Sequence, residues 1–187
     1  MTLTEYFDCH PVDNNEQFTW EGIDFTPVQT VHVMAGYMIK YSYGLLIQQQ
    51  STRTEKHEEG YDALGNGCIS SYRSVSVPVD EPVIFVSTDT QFCPNQIRDF
   101  YERANIILQD TETSPYKSGV HAHYDELATL PDEIKAKMWL YHYQPNPPQN
   151  VEPAGDPATK KRRDSIEDGF RGFAARGQII DITSIGE

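Results

Sequence analysis

Basic residues are scarce. The 187-residue chain carries 15 Lys and Arg against 28 Asp and Glu, a formal net charge of −13. That balance argues against a generic phosphate-binding surface that works by counterion release, so there is no strong nucleic-acid signal. An acidic chain can still hold a phosphoester where metal ions supply the local positive charge. Cysteine is scarce too: Cys9, Cys68 and Cys93, with no C-x-x-C. An odd, scattered set supports neither a disulfide framework nor a cysteine zinc site and fits a reduced, cytoplasmic setting. Long hydrophobic runs are missing. Nothing approaches the roughly 18 apolar residues of a membrane span, and the opening MTLTEYFDCHPVD lacks the basic and apolar parts of a signal peptide. G-x-S-x-G, Walker A and G-x-G-x-x-G strings do not occur, so nucleophile-elbow and nucleotide-cradling folds gain no support. No internal repeat or coiled coil stands out.

What is present is globular in composition, at 38% hydrophobic and 11% aromatic, and long enough for a single domain over 1–187 with a sizeable core. Phe18 to Thr30 looks like a hairpin turning at Glu21-Gly22, its residues aromatic and β-branched. In VQTVHV the alternation sets Val28, Thr30 and His32 on one face. Tyr41 to Gln50 is a further strand, where Gly44 allows a bulge or a close backbone approach. Residues 51–81 and 144–168 look like insertions; the first is expected to hold a hairpin, and the second carries a KKRR run expected to be a solvated loop. Pro94 to Ala104 has helical spacing with Pro94 in the first turn. NIILQ (105–109) and MWLYHY (138–143) are short strands, Tyr124 to Lys137 is a helix that restarts at Pro131-Asp132, and QIIDI (178–182) is a terminal strand.

The chemistry gathers at strand ends. Val83 to Val86 is a continuous apolar run, the mark of a strand buried on both faces, and it ends in Ser87, Thr88, Asp89 and Thr90. Ligand sites of layered α/β folds sit at such rims. Asp89 is therefore expected to be a metal ligand, with His32 and His142 brought beside it; the alternative is an Asp that caps the next helix. Imidazole and carboxylate together suit zinc, iron or manganese. Asp110 and Glu112, at the end of NIILQ, offer carboxylates that orient a ligating histidine. In H-A-H-Y-D-E (121–126) three readings stay open: a metal site, a catalytic or orienting role for His121, or a loop in which Asp125 caps a helix. Cys93, with no basic residue near it in sequence, is expected to be a buried structural thiol.

The order F-T-P-V-Q-T-V-H, Y-G-L-L-I, V-S-T-D-T-Q-F, Q-D-T-E-T, G-V-H, L-Y-H-Y resembles the second half of metallo-β-lactamase-fold hydrolases, nearest to the phosphodiesterase and ribonuclease Z-like branch. The resemblance implies half of an αββα sandwich, an α/β fold with a mixed sheet and helices on one face. It implies metal ligation by His32, Asp89 and His142, with Asp89 bridging two ions of zinc, manganese or iron, and a catalytic role for Asp89 and for His121. The H-x-H-x-D-H string of that family's other half is not found. The implied function is thus part of a phosphodiesterase-like metallo-hydrolase, truncated and inactive by itself, completed by an N-terminal half chain or a homodimer and acting on a phosphodiester. The alternative is a non-catalytic remnant or interaction module that dimerises through an exposed sheet face. A half sandwich should leave one sheet face apolar and uncovered.

Overall fold

The computed structural model describes residues 3–50, 52–59, 71–78, 81–144, 150–151 and 163–182. Its framework is a mixed seven-stranded sheet in the order β1-β2-β3-β6-β7-β8-β11. The strands are β1 (Phe18–Trp20), β2 (Ile23–Ala35), β3 (Met38–Gln49), β6 (Val83–Val86), β7 (Ile106–Asp110), β8 (Met138–Tyr141) and β11 (Gly172–Phe173). β4 (Thr52–Glu59) pairs with β5 (Ser71–Pro78) as a separate antiparallel hairpin, and β9 (Asn150–Val151) with β10 (Arg163–Asp164). The fold is α/β in character, with three short α-helices among the described residues: α1 (Pro94–Arg103), α2 (Tyr124–Leu127) and α3 (Asp132–Lys135). Nothing described corresponds to the second sheet of a sandwich. The KKRR run lies outside the described residues, apart from the backbone of Arg163.

Local chemistry explains most of these elements. Glu21 and Gly22 turn the β1–β2 hairpin with φ of 50° and 78°, the paired left-handed geometry that matches strand twist. Pro94 opens α1, and Pro131 caps α3, so the proline that interrupts 124–137 does restart the helix. The expected terminal strand at 178–182 is a correction: those residues are not strand, and Ile179 is 92% exposed. The seventh strand instead forms earlier, where Gly172 and Phe173 lie parallel to Trp139 and Leu140. A short apolar run becomes a strand only if an edge is free to receive it, and β11 already occupies the edge beside β8.

β1, β2, β3 and β6 run antiparallel, and β6, β7, β8 and β11 run parallel. The registers align Leu46, Phe85, Ile107 and Met138 across one face. All four are buried and form one core with Ile97 and Tyr101 of α1, Leu127 of α2 and Ile134 of α3. The same registers align Leu45, Val86, Leu108 and Trp139 across the opposite face, all only partly buried. Burying such a row against a second layer would stabilise by roughly 25 cal/mol per Å² of apolar surface. The indole N–H of Trp139 is buried there without a hydrogen-bond partner. At Gly44 β3 passes close against the end of β6: a Cβ there would meet the Val86 carbonyl oxygen at 2.7 Å. No described helix is long and apolar enough to cross a membrane.

Candidate functional site

Parallel β6, β7 and β8 deliver their C-terminal ends side by side, and the polar residues follow at once. β7 ends in Asp110, and β8 is followed by His142. β6 is followed by Ser87 and Thr88, then Asp89. Thr88 and His142 adopt φ of 52° and 61°. A β-branched residue in the left-handed region is strained, and such strain clusters at functional sites. The strained turn after β6 is tied down from both sides. Thr88 Oγ1 donates to the Tyr43 carbonyl at 2.9 Å, and the hydroxyl of Ser42 donates to the Asp89 carbonyl. Gln91 N donates to the Val31 carbonyl at 2.8 Å.

Asp110 is the centre of the group. Its side chain is fully buried, and one oxygen takes Thr90 N at 3.0 Å and His121 Nδ1 at 2.7 Å. The other takes His142 Nδ1 at 2.8 Å. A carboxylate only accepts, so both rings carry their proton on Nδ1 in this arrangement. In a neutral ring so held, Nε2 keeps its lone pair, the arrangement in which a carboxylate-oriented histidine binds a metal. Asp89 approaches His142 Nδ1 at 3.5 Å and is half-exposed. Asp89, Asp110, His121 and His142 each offer one donor atom, and these atoms lie within 4.8 Å of one another. The His121 ring stands edge-on to His142 at 4.8 Å between centroids and tilted to His32 at 5.6 Å. His32 is the extra residue of a β-bulge, skipped in the pairing of Val31 and Val33 with β3. Its Nδ1 is buried with no hydrogen-bond partner. The oxygen and imidazole donors of Asp89, Asp110, His121 and His142 fit a borderline divalent ion such as zinc, iron or manganese.

The structure thus brings His121 and His142 against Asp110, with Asp89 at the rim and His32 behind His121. Asp89 does not cap α1, whose N-cap is Cys93. Asp125 is not a cap either: His123 holds that position in α2, its Nδ1 accepting from Asp125 N at 3.2 Å while Glu126 closes the capping box. His123 is buried and bonded to Ser114, so H-A-H-Y-D-E splits into one site histidine and one structural histidine. Glu112 orients no histidine of the group; its carboxylate accepts from Ser114 and Ser118. Burial raises its carboxyl, but the Ser118 and Ser114 hydrogen bonds and nearby His123 outweigh that and hold it below the usual range.

Two residues were undervalued by sequence reasoning. Asp110, expected from the sequence to orient a ligating histidine, joins two; the oxygen-rich Q-D-T-E-T rim is its signal. Tyr141, the last residue of β8, has its phenol pushed up to about 12, first by burial and then by the charges of Asp110 and Asp89, so it stays neutral beside them. Nothing in the local sequence marks it.

A protein-family model described as anti-Pycsar protein Apyc1 matches residues 1–180. No curated protein matches. The family match overturns the reading of the chain as the truncated C-terminal half of a metallo-β-lactamase-fold hydrolase, because it runs over essentially the whole chain and is to a family of another description. The phosphodiesterase-like metallo-hydrolase function is corrected with it, and the alternative, an interaction module, accords better. The misreading has a physical source. Histidines and aspartates at the ends of neighbouring strands are a general way to build a site, so short strings such as V-S-T-D-T identify a rim better than they identify a family.

Proposed function

Because the chain belongs to the family described as anti-Pycsar protein Apyc1, we propose that it acts against Pycsar as a binding module with a metal-assisted site at the sheet rim. The observation that carries this reading is the convergence of Asp89, Asp110, His121 and His142 within 4.8 Å at the rim of the sheet. A divalent ion held there, with His32 as a further donor, gives an acidic chain the local positive charge that an anionic ligand needs. Asp110 fixes the rings of His121 and His142.

The sheet is read as one layer of a two-layer sandwich completed by a second copy of the chain. The apolar row Leu45, Val86, Leu108 and Trp139, only partly buried within one copy, supports this. The few, scattered cysteines favour a reducing cytoplasm.

The test is a Pycsar challenge titrated with wild type and with Asp89→Ala/His142→Ala, beside metal analysis of both after zinc loading. A binding module antagonises in proportion to the amount of chain present, and the double variant loses both the metal and the antagonism. Antagonism that a trace of chain sustains indefinitely would overturn the reading as a binder. A zinc-free wild type would overturn the metal.

A further inference from the structure

Residues 113–119, between β7 and α2, form an exposed loop whose tip residue Tyr116 is 82% exposed. Such segments are ordinarily the mobile parts of a fold. This one is closed around a carboxylate. Glu112 is 6% exposed. Its Oε1 accepts from Ser114 Oγ at 2.9 Å, and its Oε2 accepts from Ser118 N at 2.8 Å and Ser118 Oγ at 2.9 Å. One side chain therefore grips the Ser118 arm of the loop with two donors and shares the Ser114 hydroxyl proton on the other arm with the Tyr116 carbonyl.

The loop is bonded in turn to the turns that carry the site. Thr113 donates from N and Oγ1 to Gln144 Oε1 at 2.6 and 2.5 Å, and Gln144 lies two residues beyond His142. Gln91, two residues beyond Asp89, donates through Nε2 to the Gly119 carbonyl. Gly119 itself lies two residues before His121.

We propose that Glu112 is a positioning residue: by clamping Ser114 and Ser118 it makes 113–119 a fixed rim that holds the Asp89, His121 and His142 turns in register. The inference rests on the reading of those three residues as the site. Glu112 touches none of them and acts through the loop. Ordering the loop in advance would spare the site that cost when an ion or anion arrives.

The test uses metal-free full-length protein, so that a failure of the metal reading leaves it intact. Trypsin cleavage after Lys117 is mapped by mass spectrometry, and the ring nitrogen signals of His121 and His142 are followed by NMR. In Glu112→Ala, cleavage becomes about tenfold faster as the loop opens, and the ring signals of both histidines move. Glu112→Gln, which keeps an acceptor of the same reach, restores both toward wild type, an effect that simple loss of stability would not produce. Ser114→Ala/Ser118→Ala keeps the carboxylate and gives the same two changes at smaller size; it stands in if Glu112→Ala does not fold. Unchanged cleavage or unmoved histidine signals in the variant that folds would overturn the proposal.

Discussion

At the residue scale, Asp110 carries the heaviest load, because its buried carboxylate meets two imidazoles. Asp110→Asn keeps the shape but leaves one acceptor oxygen where two Nδ1–H donors and Thr90 N converge. One ring must then turn or change tautomer. The expected outcome is a zinc affinity lower by about 10–100-fold, the usual effect of losing a carboxylate behind a ligating histidine. Competition with a chromophoric chelator measures it, and an unchanged affinity would show that Asp110 does not set the rings. Cys93 carries the opposite expectation. Burial first, then the charge of Glu126, pushes its thiol above the ordinary value. Less thiolate at a given pH means slower alkylation. Peptide mapping with iodoacetamide should show Cys93 lagging behind exposed Cys9 at neutral pH and accelerating as pH rises. Cys93 reacting first at pH 7 would contradict the direction of that shift.

At the scale of elements, the turn after β6 depends on how closely β3 can approach. A Cβ on Gly44 would meet the Val86 carbonyl at 2.7 Å, the Ser87 carbonyl at 3.1 Å and Phe85 Cε2 at 3.2 Å. Two of those neighbours are backbone and cannot swing aside. Gly44→Ala should therefore destabilise by about 1–3 kcal/mol, the range for overpacking, seen as a lower urea midpoint at unchanged slope. It should also disturb Asp89, whose turn starts at the same carbonyls. A midpoint equal to wild type would mean that the strands part easily here. The sequence announced this contact only as a glycine inside a strand pattern. It announced β6, β7 and β8 more clearly, since each is a short apolar run followed at once by side chains with oxygen or nitrogen. The bulge at His32 was not legible, because neither Gly nor Pro marks it and simple alternation describes 28–33 equally well. The cap of α2 went to His123 rather than Asp125 because burial and the Ser114 carbonyl fix the histidine ring, and tertiary contacts of that kind leave no local trace.

At the scale of the whole molecule, two tendencies oppose one another. Leu45, Val86, Leu108 and Trp139 form an apolar row on the sheet face away from the core, which favours association of two copies. The net charge of −13 on each copy opposes it. Apolar contact is short-ranged and little affected by moderate salt, whereas like-charge repulsion between exposed groups is screened over about 10 Å at 0.1 M salt. A dimer formed through this face should therefore tighten as ionic strength rises, contrary to an interface built on ion pairs. Light scattering behind size exclusion, at low and at high sodium chloride, reads the difference directly. Leu108→Glu places a charge in the middle of the row on a central strand, where a buried unpaired carboxylate costs several kcal/mol. That variant should stay monomeric at both salt concentrations while its own fold survives, because Leu108 is only partly buried within one copy. A dimer that dissociates as salt rises, or that persists in Leu108→Glu, would place the interface elsewhere and leave the apolar face to another partner.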